Sequence, residues 1–298
     1  MLPFAMTRAG IVTVVGKPNA GKSTLLNRIV GQKLSITSPK PQSTRERVVG
    51  ILSTAETQMI VTDTPGLLNP RYALQRAMQA AARRALDDAD VIVYLADAMD
   101  GPPPTLEDAA GLGTAPHAPV LLALNKMDAL APEQRAALIA ACPTALPISA
   151  RTGDGVDALL QRLTDALPES PFLYPADDVA TQPLRFFASE CIRETALEQL
   201  EDEVPYSVAC VIEEFREERQ PVYIRAVMHV ERESQKRILI GHKGARIREI
   251  GRAARAKIEE LVGGAVYLDL WVKVLPNWRR DARTLRRLGY RLPEDSAS

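Results

Sequence analysis

The chain lacks the cysteine pattern of a stapled or zinc-bearing protein. Cys142, Cys191 and Cys210 are odd in number, far apart and outside any Cys-x-x-Cys spacing, which excludes a disulfide framework and suits a reducing compartment. It also lacks net charge: 37 Lys and Arg balance 37 Asp and Glu, so any polyanion-binding surface must be local. No apolar run approaches the roughly 18 residues that a membrane span requires. Met1 to Gly10 carries no apolar segment of the kind a secretory leader has, so the expected location is the cytoplasm. Internal repeats and low-complexity tracts are absent. What remains is ordinary globular material, 46% hydrophobic and 25% charged over 298 residues, enough for about two domains.

The charge is unevenly spread. Residues 190 to 219 hold ten Asp/Glu against three Lys/Arg, whereas residues 232 to 257 hold nine basic against two acidic residues. The second block can meet a polyanion.

From Ile11 to about Ala166, short apolar runs alternate with longer helical stretches rich in Ala and Leu. The runs are Ile11–Val15, Met59–Thr62, Val91–Ala96, Val120–Leu124 and Ala145–Ile148. That rhythm predicts an α/β domain built on a doubly wound, mostly parallel sheet, spanning residues 8–168. Uninterrupted apolar strands imply helices on both faces, with working loops at the C-terminal ends of the strands.

The loops carry the motifs. Gly16, Lys17, Pro18, Asn19, Ala20, Gly21, Lys22 and Ser23 follow the first strand and open a helix, with Thr24 just inside it. This is the context in which a P-loop wraps backbone N–H groups around phosphates, Lys22 neutralises the β- and γ-phosphates and Ser23 holds Mg²⁺. Asp63-Thr64-Pro65-Gly66 ends the Met59–Thr62 strand, placing Asp63 to reach Mg²⁺ through water and the Gly66 N–H to meet a γ-phosphate. Asn125-Lys126-Met127-Asp128 ends the Val120–Leu124 strand. A carboxylate there accepts from the guanine N1–H and exocyclic amine together, an edge that adenine does not present. Ser149-Ala150 follows the next strand, where a backbone N–H can meet the guanine O6.

With these four motifs in order, residues 11 to 166 resemble a TRAFAC-class, translation-factor-related GTPase domain. The resemblance implies GTP and GDP as ligands, Mg²⁺ as cofactor and a Thr in the first switch loop. Within residues 41–47 the best match is Thr44, with Ser43 as rival, so Ser23, Thr44 and Asp63 form the expected metal set. Where Ras-like proteins place a water-orienting Gln after Gly66, this chain has Leu67, so no catalytic residue is assigned and slow intrinsic hydrolysis is expected. Asn19 resembles in its place a K⁺ ligand of related GTPases, and an ordinary loop residue is the competing reading.

Residues 169–184 contain Pro171, Pro175 and Pro183 and read as a semi-rigid linker. Beyond it the expected elements are a helix over 185–200, strands over 207–215 and 222–230, a basic stretch, a helix over 245–261 and a strand over 266–274. Gly241-His242-Lys243-Gly244 sits between the apolar Ile238–Ile240 run and the basic helix. Two glycines let a backbone approach a nucleic-acid strand, and the helix start favours phosphate. The cations Lys236, Arg237, Lys243, Arg246, Arg248, Arg252 and Arg255 crowd the loop.

This order resembles a type II KH domain, a smaller α+β module over residues 185–276 in which an apolar cleft beside the loop holds single-stranded bases. The expected RNA-binding set is Ile240, Gly241, His242, Lys243, Gly244, Arg246, Ile247 and Arg248, with Ile250 as a further cleft or core residue. Residues 277–298 form a basic tail whose Arg279–Arg291 segment carries six Arg against Asp281. It reads as a contact for rRNA phosphates or an anionic bilayer, or as a solvated helix.

The GTPase motifs, the linker, the Gly-x-x-Gly element, Leu270–Val274 and Leu288-Gly289-Tyr290 together resemble the bacterial Era family over nearly the whole chain. That resemblance implies a monomeric GTP-dependent factor that binds the 3′ end of 16S rRNA and assists small ribosomal subunit assembly, with peripheral association with the inner membrane. A second reading is a GTP-regulated membrane-associated or signalling adaptor whose KH-like module binds protein; it predicts weak, salt-insensitive RNA binding. A metabolic P-loop kinase ranks last, because it has no use for a guanine-reading Asn125–Asp128 pair.

Overall fold

The computed structural model describes residues 7–293, which form two compact units. Residues up to 35, 44–70 and 75–181 make the first; residues 36–43, 71–74 and those from 182 onward make the second. Residues 1–6 and the tail end at 294–298 lie outside the described residues.

The first unit runs β1 (Arg8–Val15), α1 (Lys22–Val30), β2 (Val48–Ser53), β3 (Thr57–Asp63), α2 (Ala73–Asp87), β4 (Val91–Asp97), α3 (Leu106–Ala110), β5 (Val120–Asn125), α4 (Pro132–Ala141), β6 (Leu146–Pro147) and α5 (Val156–Ala166). Its six-stranded sheet has the order β2-β3-β1-β4-β5-β6. All five expected apolar runs lie wholly or partly in strands, the last reduced to two residues. Burial explains their lack of alternation: β3 is buried at every position, and Val12, Val14 and Val15 of β1 are inaccessible.

The sequence reading missed β2, which is antiparallel to β3. Its run is interrupted by Gly50, and it is joined to β3 by a turn in which the Thr54 hydroxyl accepts from the Thr57 N–H at 3.0 Å. A tight turn can join only antiparallel neighbours, so this strand departs from the parallel pattern.

The proline-containing stretch is strapped to the first unit rather than spanning free space. Ser170 N–H donates to Thr7 O at 3.0 Å, and Ile51 N–H donates to Val179 O at 2.9 Å. The inaccessible Gln58 amide accepts from the N–H groups of Leu173 (2.8 Å) and Tyr174 (2.9 Å) and donates to Tyr174 O. This strap covers the edge of β2, where unpaired backbone would otherwise face water.

The second unit contains α6 (Leu184–Gln199), α7 (Val204–Ser207), β7 (Ala209–Arg216), β8 (Val222–Val230), α8 (Glu233–Ile240), α9 (Ala245–Val262), β9 (Val266–Val274) and α10 (Ala282–Arg287). Its sheet is ordered β7-β8-β9, antiparallel then parallel. Ala188, Ile192 and Ala196 of α6 and Ile250, Ala254 and Ile258 of α9 repeat every four residues, and pack with Ile224, Ala226 and Met228 of β8 in one core.

The expected basic stretch is in fact α8. Its apolar Ile238–Ile240 run looks in sequence like an isolated segment, but Gln235 and Leu239, four apart, form the buried face, and the Gln235 side chain accepts from the N–H groups of Glu231 and Arg232. Part of the acidic block is structural: Lys257 bridges Glu194 and Glu198 at 2.7 Å each, Lys273 meets Glu213 at 3.0 Å and Arg225 meets Glu214 at 3.0 Å.

Candidate functional sites

β1 delivers the chain to Gly16, and α1 begins at Lys22 after Gly21 adopts a left-handed conformation with φ of 98°. Between them Lys17 and Asn19 are exposed, Ala20 is buried, and Asn19 has φ of 64°. Lys22 is buried, and its ammonium donates to Gly16 O (3.1 Å) and Lys17 O (2.9 Å), so it closes the loop on itself. Burial pushes its pKa from 10.5 down to about 8, against the pull of Asp63. Thr24 follows on α1, half-buried.

At the end of β3, paired in register with β1, Asp63 is fully buried. The Ser23 hydroxyl donates to its Oδ2 at 2.7 Å, the Thr44 hydroxyl donates to the same oxygen at 3.2 Å, and the two hydroxyls lie 3.0 Å apart. Of the two rivals in the switch loop, Thr44 is the one brought to Asp63. Burial raises the Asp63 pKa, opposed first by the Lys22 charge and then by the hydroxyls. Its other oxygen, Oδ1, is buried with no hydrogen-bond partner among the described residues. A carboxylate and two hydroxyls around an orphaned oxygen fit Mg²⁺, a hard cation that takes few protein ligands and otherwise keeps phosphate and water. When bound, the ion supplies positive charge against the phosphates and restores the ionised carboxylate.

Gly66 passes directly under the P-loop: a Cβ there would meet Pro18 N at 2.7 Å and Pro18 Cα at 2.8 Å. The following Leu67 N–H donates to Gly16 O at 3.0 Å, and its side chain packs against the cluster containing Val15, Leu86 and Leu106. Leu67 is thus an anchor for this loop and is turned into the core.

The third group of residues comes from β5 and the loop after β6. Asn125 is buried, donating from Nδ2 to Ala20 O at 2.7 Å and accepting at Oδ1 from the Ala150 N–H at 2.8 Å. Both ends of its amide therefore hold backbone, and it fastens the P-loop to the 149–150 turn. The sequence assigns one backbone N–H of Ser149-Ala150 to guanine O6, and both are in use: that of Ala150 on Asn125 and that of Ser149 on Asp154 O at 2.8 Å. Lys126, with φ of 68°, pairs with Asp97 at 2.5 Å. Asp128 is held ionised below the usual carboxylate range, chiefly by a hydrogen bond from Ser149 and also by Arg151, with which it forms an ion pair.

Two residues escaped the sequence reading. Arg28 of α1 donates to the carbonyls of Ala150 and Arg151, and Arg151 covers Asp128. Neither carries a motif signature; an arginine on a helix reads as a solvated residue until the fold brings the 150–151 turn to it.

In the second unit, Gly241 (φ 72°) and Gly244 (φ 76°) flank exposed His242 and Lys243 at the start of α9. A Cβ at Gly241 would lie 2.7 Å from Arg246 Cβ, so the turn requires glycine. Arg248 donates to Lys243 O at 2.9 Å, within the loop, and Arg246 donates to Gln199 O at the end of α6 at 3.1 Å. Ile240 and Ile247 are half-buried beside the loop, whereas Ile250 is inaccessible and belongs to the core, not to a cleft.

Two outcomes follow for the nucleotide site. A bound phosphate restores the ammonium of Lys22, so GDP binding at pH 8.5 should take up a fraction of a proton, and affinity should fall as pH rises above about 8. Calorimetry in buffers of different ionisation heat reads this uptake; heats independent of buffer contradict it. Asp128→Asn should cost roughly 100-fold in GTP affinity, as expected for two charged hydrogen bonds at about 1.5 kcal/mol each, and should favour xanthine nucleotides. Competition binding with GTP and XTP checks it, and unchanged selectivity would remove Asp128 from the base site.

Comparison with known proteins agrees with this geometry. Residues 11–126 match the family model described as 50S ribosome-binding GTPase, and residues 203–279 match the KH domain. The chain is 43% identical to GTPase Era of Pseudomonas aeruginosa over 96% of each chain, and 42% identical to GTPase Era of Geobacter metallireducens over 95% of this chain and 98% of that one. Its fold is similar, with a TM-score of 0.90 at 39% identity over 96% of this chain and 100% of the other, to Era solved with MgGDPNP and nucleotides 1506–1542 of 16S ribosomal RNA. A variant of Aquifex aeolicus Era bound to GDP·AlF₄⁻ matches equally well, again with a TM-score of 0.90 at 39% identity over 96% and 100% of the two chains. With the guanine-nucleotide motifs in one unit, a Gly-x-x-Gly module in the other and relatives matched over nearly the full length of both, this chain belongs to the Era family of GTPases.

Proposed function

We propose that this chain is a slowly hydrolysing GTP switch that binds the 3′ end of 16S rRNA through its Gly-x-x-Gly module and assists assembly of the small ribosomal subunit. The observation that carries the reading is the likeness across both units to the Era solved with MgGDPNP and 16S rRNA nucleotides. In this reading Gly16 to Thr24 and Gly66 hold the phosphates, and Ser23, Thr44 and Asp63 serve Mg²⁺. Asp128 reads guanine, in a site fastened by Asn125, Lys126, Ser149 and Ala150. The RNA contacts are Ile240 to Gly244, Arg246, Ile247 and Arg248. The protein acts as a monomer in the cytoplasm, with peripheral association with the inner membrane as a second location.

Nucleotide state reaches the RNA module through the chain on either side of the metal site. Residues 36–43, immediately before Thr44, and residues 71–74, after Gly66, group with the second unit. There Lys40 donates to the carbonyls of Leu197 and Leu200 at the end of α6, which also receives Arg246 from the loop helix through Gln199 O. Drawing Thr44 toward a γ-phosphate and Mg²⁺ therefore pulls on a segment fixed to the same helix end that steadies the RNA loop.

With Leu67 turned into the core, hydrolysis relies on fixed charge. In this reading Asn19, which is exposed on the P-loop with a positive φ, helps a bound K⁺ supply positive charge there. Turnover in K⁺ should exceed turnover in Na⁺ by tenfold or more, and equal rates would dismiss Asn19 from that role. The binding function is tested by anisotropy of a labelled single-stranded RNA matching the rRNA 3′ end. Salt-sensitive binding, tighter with a non-hydrolysable GTP analogue than with GDP and lost in Gly244→Asp while GTP hydrolysis persists, is the expected result. Absence of binding in either state would transfer the module to a protein partner.

A further inference from the structure

Asp128 has two claimants. Its carboxylate is the acceptor assigned to the guanine N1–H and exocyclic amine, and its Oδ2 accepts from Nη2 of Arg151. The partners of this ion pair differ in exposure: the Asp128 side chain is 12% exposed and the Arg151 side chain 78%. The acid is therefore held in place, whereas the cation has room to swing. The other cation of the base site, Lys126, is engaged elsewhere, on Asp97 at 2.5 Å.

The root of Arg151 is pinned while its tip is not. Arg28 of α1 donates from Nε to Ala150 O at 2.6 Å and from Nη2 to Arg151 O. The Ala150 N–H donates to Asn125 Oδ1 at 2.8 Å and the Thr152 N–H to Ser149 Oγ at 3.1 Å. Ser149 N–H donates to Asp154 O at 2.8 Å, and Gly153 N–H donates back to Ser149 O at 2.8 Å. The loop is thus a closed turn fastened to α1 and to the end of β5. Moving Arg151 on or off Asp128 requires only a change of side-chain rotamer, which an exposed residue makes within nanoseconds.

We propose that Arg151 is a resident competitor of guanine: it takes Asp128 Oδ2 as the base leaves, holds GDP affinity down and speeds GDP release, an exchange element built into the base site. The inference rests on Asp128 reading guanine, as proposed above. Each claimant weakens the other. A hydrogen bond to an ionised carboxylate is roughly twice as strong as one between neutral groups, so a carboxylate neutralised by Arg151 is a poorer acceptor for the two base donors. An ion pair with one exposed partner is a weak bond, equivalent to about a two- to fivefold effect on an equilibrium. That strength suits a competitor, being enough to bias release and too little to block binding. Because the side chain swings far faster than a nucleotide leaves, its effect falls on the release rate.

The test is stopped-flow release of methylanthraniloyl-GDP from the full chain. Arg151→Gln, which keeps a polar side chain without the charge, should release GDP about threefold more slowly than wild type and bind it about threefold more tightly at low salt. The difference should vanish near about 1 M salt, where screening acts within about 3 Å. Arg151→Lys, which keeps the charge, should release GDP at the wild-type rate. In an Asp128→Asn background, read with xanthosine diphosphate, adding Arg151→Gln should change nothing, because the contested charge is gone. Equal release rates for wild type and Arg151→Gln would overturn the proposal. Faster release from the Gln variant would do so too, by making Arg151 a contact that holds the bound base. A difference that ignores salt, or that persists with Asp128→Asn, would show a merely structural role and dismiss the competition. If Asp128→Asn still prefers guanine to xanthine nucleotides, the base-site reading itself fails, whereas a normal switch to xanthine with no effect of Arg151→Gln defeats the competitor alone.

Discussion

Everything at the nucleotide site turns on one buried electrostatic constraint: Lys22 and Asp63 are both out of water, and each is shifted toward its neutral form by that burial. The two charges oppose these shifts for each other, but one carboxylate oxygen still lacks a partner among the described residues and the ammonium can find only loop carbonyls. Burial of charge without full compensation is costly. The remedy is a ligand that brings anionic oxygen to Lys22 and a hard cation to Asp63 at once, which describes a magnesium nucleoside triphosphate. The unbound site thus holds in reserve the preference that makes it selective for that ligand.

The sheet exists, for this purpose, to hold the pair. β1 and β3 are parallel neighbours in register, so the loops leaving their C-terminal ends fall side by side. Asn125 then fastens the end of β5 to the P-loop and to the 149–150 turn through a single buried amide, and Arg28 repeats the connection from α1. The loops that carry the guanine and phosphate motifs are consequently tied to one another. The chain segments flanking Thr44 and following Gly66 group partly with the other unit, which makes them the elements able to respond to what those loops bind.

Features whose chemistry is written in consecutive residues were legible in the sequence. The P-loop, Asp63–Gly66, Asn125–Asp128 and the Gly241–Gly244 loop are local, and the structure places each at the end of a strand or helix as the patterns required. Long-range features were not legible. β2 was hidden by Gly50 in a short run, and α8 by an apolar triplet whose buried partner, Gln235, is polar. The strap over residues 169–181 depends on Gln58, a residue that in sequence is merely one polar position in a strand. The arginine tail could be counted but not sorted, because only folding shows Arg279 facing Glu231 and its neighbours facing water.

The central claim is that completing the charge around Asp63 orders the chain on either side of Thr44 and Gly66 and is felt in the second unit. Amide hydrogen exchange of the full chain, with GDP or with a non-hydrolysable GTP analogue and Mg²⁺, measures this most directly. The account predicts that the analogue protects residues 36–47 and 64–74 and alters exchange at the end of α6 and in the Gly-x-x-Gly loop. Identical exchange with the two nucleotides in all of these segments would contradict it.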